Sequence, residues 1–429
     1  MTEWQQRTLN DIAEVVMGQS PAGDTCNGKG LGLPLLNGPT EFGYVSPTPV
    51  QFTTDPKRLS VPDDLLFCVR GSTTGRMNWA QQEYAIGRGL AAIRHKNGPK
   101  YRFFLKGIID CYLPYLLTSA TGSTFPNISR DQISKLKVKI PPLSEQKEIS
   151  DFFAAISLKI ELNQRMNETL EGMARSIFKS WFVDFDPVHA KANGQQPAGM
   201  DAKTAALFPN RFTNDGLPEG WGIGNIGDIA KAKGGYAFKS KDFSGCGNPV
   251  IKIKNISKDG KVIIKGSQCI DDAIAAKADR FRLVDGDLVM AMTGATVGKS
   301  GLIVTTDSIP YLNQRVAKFE SLKFGTKIVW FLFCLFKQED IFNVLVGTAQ
   351  GSAQPNISSS NLDSIKIFIA TDEIISAYCE AVDHLFKLWI YNEKQNQTLV
   401  ALRDTLLPKL ISGELRVDTE PYNMKEATQ

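Results

Sequence analysis

From residue 144 to about residue 182 the chain carries no proline, and its apolar residues recur at alternating steps of four and three. Starting at Ile149, the seam passes through Phe153, Ile156, Ile160, Asn163, Asn167, Leu170, Ala174, Ile177 and Trp181. Heptad spacing of this kind predicts a long helix with one buried stripe. The two prolines of "PPLS" (141–144) end the strand before it, and Ser144 is the expected N-cap. A second seam runs through Tyr378, Val382, Leu385, Trp389, Asn392, Asn396, Leu399, Arg403, Leu406 and Leu410, with Thr371 as its expected N-cap. Each helix should hold roughly 38 residues and reach about 57 Å at ~1.5 Å per residue.

The two seams lie 229 residues apart, and the pattern before each is repeated at that same interval. "GSTFPNIS" (122–129) returns as "GSAQPNIS" (351–358), with six of eight letters kept. Ile133, Leu136, Val138 and Ile140 fall on Leu362, Ile365, Ile367 and Ile369 without a gap. Upstream the echo continues at shorter intervals. "WQQRTLNDIAE" (4–14) resembles "WGIGNIGDIAK" (221–231), and "DLLFCVRGSTTGR" (64–76) resembles "DLVMAMTGATVGK" (287–299). The period, about 200 residues, is far too long for a solenoid, so the chain reads as two divergent tandem copies of one globular unit, each with its own core.

Polar residues on a buried seam cost stability but fix register, because they satisfy each other in one alignment. Asn163 and Asn167 stand mid-helix on the first seam, and Asn392 and Asn396 stand at the matching places on the second. Antiparallel pairing would set them face to face, and the connection of residues 184–217 makes it the shorter route. The expected fold class is α+β: two globular domains separated by two long antiparallel helices forming a coiled coil, with a pseudo-two-fold internal repeat. The expected boundaries are a first domain at 1–143, a spacer helix at 144–183, a linker at 184–217, a second domain at 218–370, a second spacer helix at 371–412 and a tail at 413–429. A two-headed object of this symmetry suits a two-part target such as DNA half-sites.

Composition narrows the picture. A chain of 429 residues is long enough for two sizeable cores, and its net charge of +4 permits a nucleic-acid partner without demanding one. Seven scattered cysteines without Cys-x-x-Cys spacing fit a reduced, cytoplasmic protein. The beginning, "MTEWQQRTLN", has no apolar signal core, and the longest apolar run, "IVWFLFCLF" (328–336), is far short of a membrane span. That run reads as a buried helix or strand.

Catalytic signatures are missing. Gly294 and Gly298 of "TGATVGKS" enclose three residues where a phosphate-binding Walker loop needs four, and the first copy lacks the lysine. A tight strand-to-strand turn is the better reading. His95, His189 and His384 have no partners at metal-ligand spacing. No Gly-x-Ser-x-Gly and no Asn-Pro-Pro-Phe/Tyr amino-methyltransferase motif occurs. "DFDPV" (184–188) reads as a helix stop that opens the linker.

Two stretches carry nucleic-acid signals. Nine lysines fall between Lys231 and Lys265 with Tyr236, Phe238 and Phe243 among them, and "RHKNGPKYRFFLKG" (94–107) is the counterpart in the first copy. Reading base edges needs Arg, Lys, Asn, Gln, Ser or Thr presented on loops. "VRGSTTGR" supplies Arg70, Ser72, Thr73, Thr74 and Arg76, and "MTGATVGK" supplies Thr293, Thr296 and Lys299; Arg88 and Arg315 are further candidates.

These residues resemble a known family, the specificity subunits of type I restriction–modification enzymes. The similar stretches are "IPPLSEQKEI" (140–149), "SWFVDFDPVHAK" (180–191), "GLPEGW" (216–221), "AIGRGLAAIR" (85–94), "TGATVGK" (293–299) and "LLPKLISGEL" (406–415), which together span most of the chain. The resemblance implies a non-catalytic subunit whose two target-recognition domains each read one half of a split site in double-stranded DNA. It implies that the helices dock two adenine-methyltransferase subunits, which bring S-adenosylmethionine and flip the adenine, while this chain holds no cofactor or metal. Motor-nuclease subunits would complete a restriction complex. Two departures stand out: "ATDEII" replaces "PPLSEQ" before the second helix, and Arg403 occupies a seam position. The competing reading is a duplicated scaffold that binds protein or glycan without DNA.

Overall fold

The computed structural model describes residues 4–43, 46–121, 126–257, 260–305, 307–321, 323–349 and 355–417. The leading letters of the repeated motif, 122–125 and 351–354, therefore lie outside the described residues, as do Lys258, Asp259 and the tail from 418. Contacts divide the chain into two compact units, residues 1–162 with 398–429, and residues 163–397. The first long helix, Leu143–Phe182, and the second, Asp372–Ser412, each give one half to either unit.

In the first unit a four-stranded antiparallel sheet runs in the order Ala13–Met17, Leu90–His95, Leu65–Cys68, Met77–Trp79. A five-stranded sheet of short strands lies in the same unit, with one parallel pair, Leu33–Leu36 beside Tyr84–Ile86. A separate ribbon joins Gln5–Thr8 to Lys137–Ile140. The second unit repeats the plan: Ala230–Gly234, Val316–Ser321, Leu288–Ala291 and Ser300–Leu302 form the four-stranded sheet. Asn248–Ile251 lies parallel to Tyr311–Leu312, and Gly222–Asn225 pairs with Lys366–Ile369. The ribbons have the same register, Gln5 opposite Ile140 and Gly222 opposite Ile369. Alternation in "KVKI" buries Val138 and Ile140 and leaves the lysines out, as a period of two requires.

Each core takes its share of the long helices. Ile149, Phe153, Ile156 and Ile160 pack in one cluster with Leu407, Leu410 and Ile411 and with Phe104 and Ile108 of the helix Arg102–Thr118. That helix comes so close that a Cβ on Gly107 would sit 2.9 Å from Leu407 Cδ1. In the second unit "IVWFLFCLF" is the helix Ile328–Phe336, buried along its whole length. It joins Phe178, Trp181, Tyr378, Val382, Phe386 and Trp389. Trp330 stacks on Phe386 with ring centroids 4.5 Å apart.

Within the second unit the two long helices run antiparallel, and the four asparagines meet. Asn163 Nδ2 donates to Asn396 Oδ1 at 2.9 Å, and Asn392 Nδ2 donates to Asn167 Oδ1 at 2.9 Å. The repeat interval of 229 carries the first of these bonds onto the second. Further along, Tyr378 Oη donates to the carbonyl of Ala174 at 3.0 Å.

Two sequence expectations are corrected. The first long helix begins at Leu143, and Gln146 N–H bonds the carbonyl of Pro142, so Ser144 lies inside the first turn instead of capping it. Proline is tolerated at a helix start, where its missing N–H is not needed. The buried stripe also drifts from the strict heptad: Phe178 and Leu407 are buried, whereas Ile177 and Leu406 are only half-buried. A helix of 3.6 residues per turn slips about 20° per heptad against a 3.5 repeat, which accounts for the shift by the fourth heptad. Arg403 lies half-buried on this seam and turns its guanidinium to Asp404.

Candidate nucleic-acid interface

The turn of residues 70–76 joins strand Leu65–Cys68 to strand Met77–Trp79, and the turn of residues 293–299 joins Leu288–Ala291 to Ser300–Leu302. Gly71 (φ 95°) and Gly75 (φ 93°), and in the other unit Gly294 (φ 72°) and Gly298 (φ 81°), occupy the left-handed region that glycine enters without strain. Within each turn the backbone bonds match. Thr74 N–H reaches Gly71 O at 3.1 Å and Val297 N–H reaches Gly294 O at 3.1 Å. Arg76 N–H reaches Thr73 O at 3.1 Å, and Lys299 N–H reaches Thr296 O at 3.0 Å.

The repeated "PNIS" segment fastens each turn from behind. Gly71 N–H bonds Pro126 O at 3.1 Å and Ile128 N–H bonds Val69 O at 2.9 Å. Their counterparts are Gly294 N–H to Pro355 O at 2.8 Å and Ile357 N–H to Met292 O at 2.9 Å. The side chains that ride on this common backbone differ: Arg70 faces the place of Thr293, Ser72 that of Ala295, and Arg76 that of Lys299.

Arg70, Ser72 and Arg76 are exposed, and so are Arg88 and Arg315. A backbone bond from Val69 N–H to Gly89 O at 2.9 Å brings the Arg88 turn beside the first glycine turn; Met292 N–H to Arg315 O at 3.0 Å does the same in the second unit. None of Arg70, Arg76, Arg88, Lys299 and Arg315 forms an ion pair with a described residue. The hydroxyls are less available. Thr74 Oγ1 donates to Gly71 O and lies 3.0 Å from Pro126 O, Thr296 Oγ1 donates to Thr293 O, and Thr73 Oγ1 meets Cys68 Sγ. Thr293 is buried.

The two broader basic stretches fare differently. Arg94 pairs with the buried carboxylate of Asp64 at 2.8 Å, Arg102 with Asp63, and Lys106 with Asp110. In the lysine-rich segment Lys231 pairs with Asp363, Lys233 with Glu320 and Lys261 with Glu393, while Lys252 sits 3.6 Å over the Phe243 ring. Tyr236 and Phe238 pack against each other at 4.9 Å inside a small core. Part of the expected basic-aromatic surface is thus held in intramolecular pairs, while Lys239, Lys241 and Lys254 remain exposed.

Buried carboxylates are built into both sheets. Burial pushes Asp64 and Asp287 above the usual carboxylate range, against the pull of Val61 N–H and Arg94 for the first and Val284 N–H and Lys318 for the second. They staple turns: Asp64 accepts from Val61 N–H and Asp287 from Val284 N–H, each at 2.8 Å. Among the described residues no group of three His, Cys, Asp or Glu side chains could hold a metal ion. His95 is buried against Gln146, His189 stacks on Phe212 and His384 is exposed. Gln19 and Gln314 were missed by sequence reasoning. Both are exposed: Gln314 immediately precedes Arg315, and the backbone bond from Gln19 N–H to Ile86 O brings Gln19 beside the Arg88 turn. Only the sheet topology reveals the second adjacency.

Comparison with known proteins decides what these turns belong to. The family model described as the type I restriction modification DNA specificity domain matches residues 1–172 and again 218–398. The chain belongs to the type I restriction–modification DNA specificity family. It is 24% identical to the MjaIX specificity subunit of Methanocaldococcus jannaschii over 97% of this chain and 94% of that protein. It is 28% identical to the HindI specificity subunit of Haemophilus influenzae over 70% of this chain and 73% of that protein. The S subunit of a type I restriction–modification system from M. genitalium has the same fold, with a TM-score of 0.56 at 16% identity, covering 96% of this chain and 99% of that one. As a type I specificity subunit the chain supplies DNA specificity and is non-catalytic. The scaffold reading without DNA is not supported.

Proposed function

We propose that each unit reads one half of a split site in double-stranded DNA, through the glycine turn and the arginine turn beside it. The residues of this reading are Arg70, Ser72, Thr73, Thr74, Arg76 and Arg88 in the first unit, and Thr296, Lys299 and Arg315 in the second; Thr293, being buried, builds the turn and does not contact bases. Arg70, Arg76, Arg88 and Arg315 carry the largest share, because a guanidinium fork meets guanine O6 and N7 bidentately. Thr74 and Thr296 set the turn more than they touch DNA, since their hydroxyls bond its carbonyls. The observation that carries this reading is one backbone turn built twice, with unpaired cations at its rim and different side chains in each copy.

Two methyltransferase subunits dock on the long helices. Exposed apolar residues recur there at the repeat interval: Leu162 with Tyr391, and Met173 with Leu402. The partners supply S-adenosylmethionine and flip the target adenine, a step that needs the base out of the stack; motor-nuclease subunits join the same assembly. Asn163, Asn167, Asn392 and Asn396 hold the register of the helix pair. The reading keeps the domain boundaries given above, and the complex works in the cytoplasm, where the host DNA lies.

Methylation by the chain together with its methyltransferase subunit tests this. Arg70→Ala should lower methylation of the cognate site by about tenfold, the size of one lost bidentate contact of ~1–3 kcal/mol. Binding should weaken steeply as salt rises. Affinity indifferent to salt, or cognate methylation unchanged by Arg70→Ala and Arg76→Ala together, would refute the reading.

A further inference from the structure

A helix leads into the repeated segment in each unit: Arg102–Thr118 ahead of Pro126, and Glu339–Thr348 ahead of Pro355. The repeat interval of 229 places Leu113 on Phe342 and Leu116 on Leu345. Leu116 and Leu345 are completely buried and anchor their helices. One turn earlier, on the same face, Leu113 is half-buried and Phe342 is 37% exposed. Both touch the second glycine of the adjacent turn. A Cβ on Gly75 would lie 2.9 Å from Leu113 Cδ1, and a Cβ on Gly298 would lie 3.2 Å from Phe342 Cε2. These glycines are the ones whose N–H bonds close the turn, Gly75 to Cys68 O at 2.8 Å and Gly298 to Ala291 O at 3.1 Å.

The turn is therefore held on two sides. Pro126 or Pro355 fastens its first glycine by a hydrogen bond, and Leu113 or Phe342 covers its second by contact. In the first unit the frame closes on itself, because Gln132 Nε2 donates to Ser119 O at the helix end while Gln132 N–H bonds the Ser129 hydroxyl of the repeated segment. In the second unit Ser358 takes the same capping role toward Asn361. The proline fastening, the cover over the second glycine and the serine cap are repeated, whereas the rim residues are not. A frame common to both copies serves the geometry of reading; the differing rim serves its content.

We propose that Leu113 and Phe342 are positioning residues for DNA specificity. Each holds the reading turn of its own unit, so that Arg70 and Arg76, or Lys299, meet base edges at one fixed angle. This rests on the reading of the glycine turns as DNA contacts. Small displacements of a positioned group cost discrimination before they cost folding, since a bidentate contact tolerates little misalignment.

The test is methylation by the intact chain with its methyltransferase subunits, on DNA carrying the cognate site or single changes in either half. Leu113→Ala should reduce discrimination about tenfold at one half and leave the other half within about twofold. Phe342→Ala should do the reverse, and Leu113→Met and Phe342→Leu should restore most of the loss. Equal loss of methylation on every substrate, or no change in discrimination, would overturn the proposal, because a merely structural side chain would act on both halves alike. A parallel Arg70→Ala, Arg76→Ala chain separates the two levels. If it reads DNA as before, the glycine turn is not a reading element at all. If it loses one half while Leu113→Ala does not, the turn reads DNA without help from Leu113.

Discussion

The two units start their halves of the long helices in opposite chemical styles. In the first, Glu145 and Gln146 are buried and every polar group visible there is matched. Glu145 accepts from Trp4 Nε1 at 3.0 Å and from Arg416 Nε at 2.9 Å. Gln146 donates to Pro141 O at 2.8 Å and meets His95 Nε2 at 3.0 Å. In the second unit the same places, 229 residues on, hold Ile374 and Ile375, both completely buried. Trp221, the counterpart of Trp4, turns from hydrogen bonding to packing: its indole N–H has no partner among the described residues, while its ring lies 5.7 Å from Phe182 and 5.4 Å from Phe185. His95 is replaced by Ser321, which sits at the same place in the sheet, each opposite the first alanine of the neighbouring strand. One fold thus accepts either a polar network or an aliphatic plug at this junction. The network joins residues 4, 95, 145, 146 and 416 in one directional arrangement; the plug packs without direction.

Exchanging the two styles should expose the asymmetry. Ile374→Glu with Ile375→Gln puts an unpaired charge into an apolar site that offers neither an arginine nor a histidine, so the second unit should lose about 3–5 kcal/mol. Denaturant melts followed by amide exchange of strand Val316–Ser321 would measure it. The reverse exchange, Glu145→Ile with Gln146→Ile, leaves the Trp4 indole and His95 without partners and should take about 1–3 kcal/mol from the first unit. A reverse exchange as damaging as the forward one would contradict the comparison.

The helix pair offers a third polar site, and there the direction of the effect should invert. Replacing Asn163 and Asn396 together by leucine removes one amide–amide bond along with two buried polar atoms, Asn163 Oδ1 and Asn396 Nδ2, that have no partner among the described residues, and should raise stability by about 1 kcal/mol. The gain should come with looser register, seen as faster amide exchange near Asn167 and Trp389. Lower stability with register intact would mean that the asparagines hold the pair together instead of specifying it.

The smallest effect concerns pH. Burial holds His95 below its ordinary value of 6.5, outweighing the Gln146 hydrogen bond that favours the proton. The unfolded chain therefore binds more protons than the folded one below about pH 6.5, and stability rises with pH through that window. The first unit should lose protection in strand Leu90–His95 as pH falls from 7.5 to 5.5, and strand Val316–Ser321 should lose less. Asp64 and Asp287 are both raised by burial, so in both units their contribution runs the opposite way and favours the fold as pH falls. His95→Asn should flatten the slope of the first unit.

Much of this was legible because it is periodic. The two seams gave both long helices and put the asparagines at their meeting point, and the glycine spacing gave the two turns. The errors have local causes. Ser144 fails as a cap because proline starts this helix well enough, and the stripe slides to Phe178 and Leu407 because 3.6 and 3.5 do not agree over ten positions. In the lysine-rich segment Asp363, Glu320 and Glu393 pair with Lys231, Lys233 and Lys261 from beyond 50 residues away, which no window of charge can see. Gln19 escaped because strand order alone makes it a neighbour of the Arg88 turn.

The central claim is a division of labour, one half of a DNA site to each unit. Sequencing of adenine methylation across a genome, in cells carrying the methyltransferase subunits with either the natural chain or its Arg70→Ala, Arg76→Ala form, addresses it most directly. The account predicts a split motif with the natural chain and altered letters in one half alone with the variant. A contiguous motif, or changes in both halves together, would contradict it.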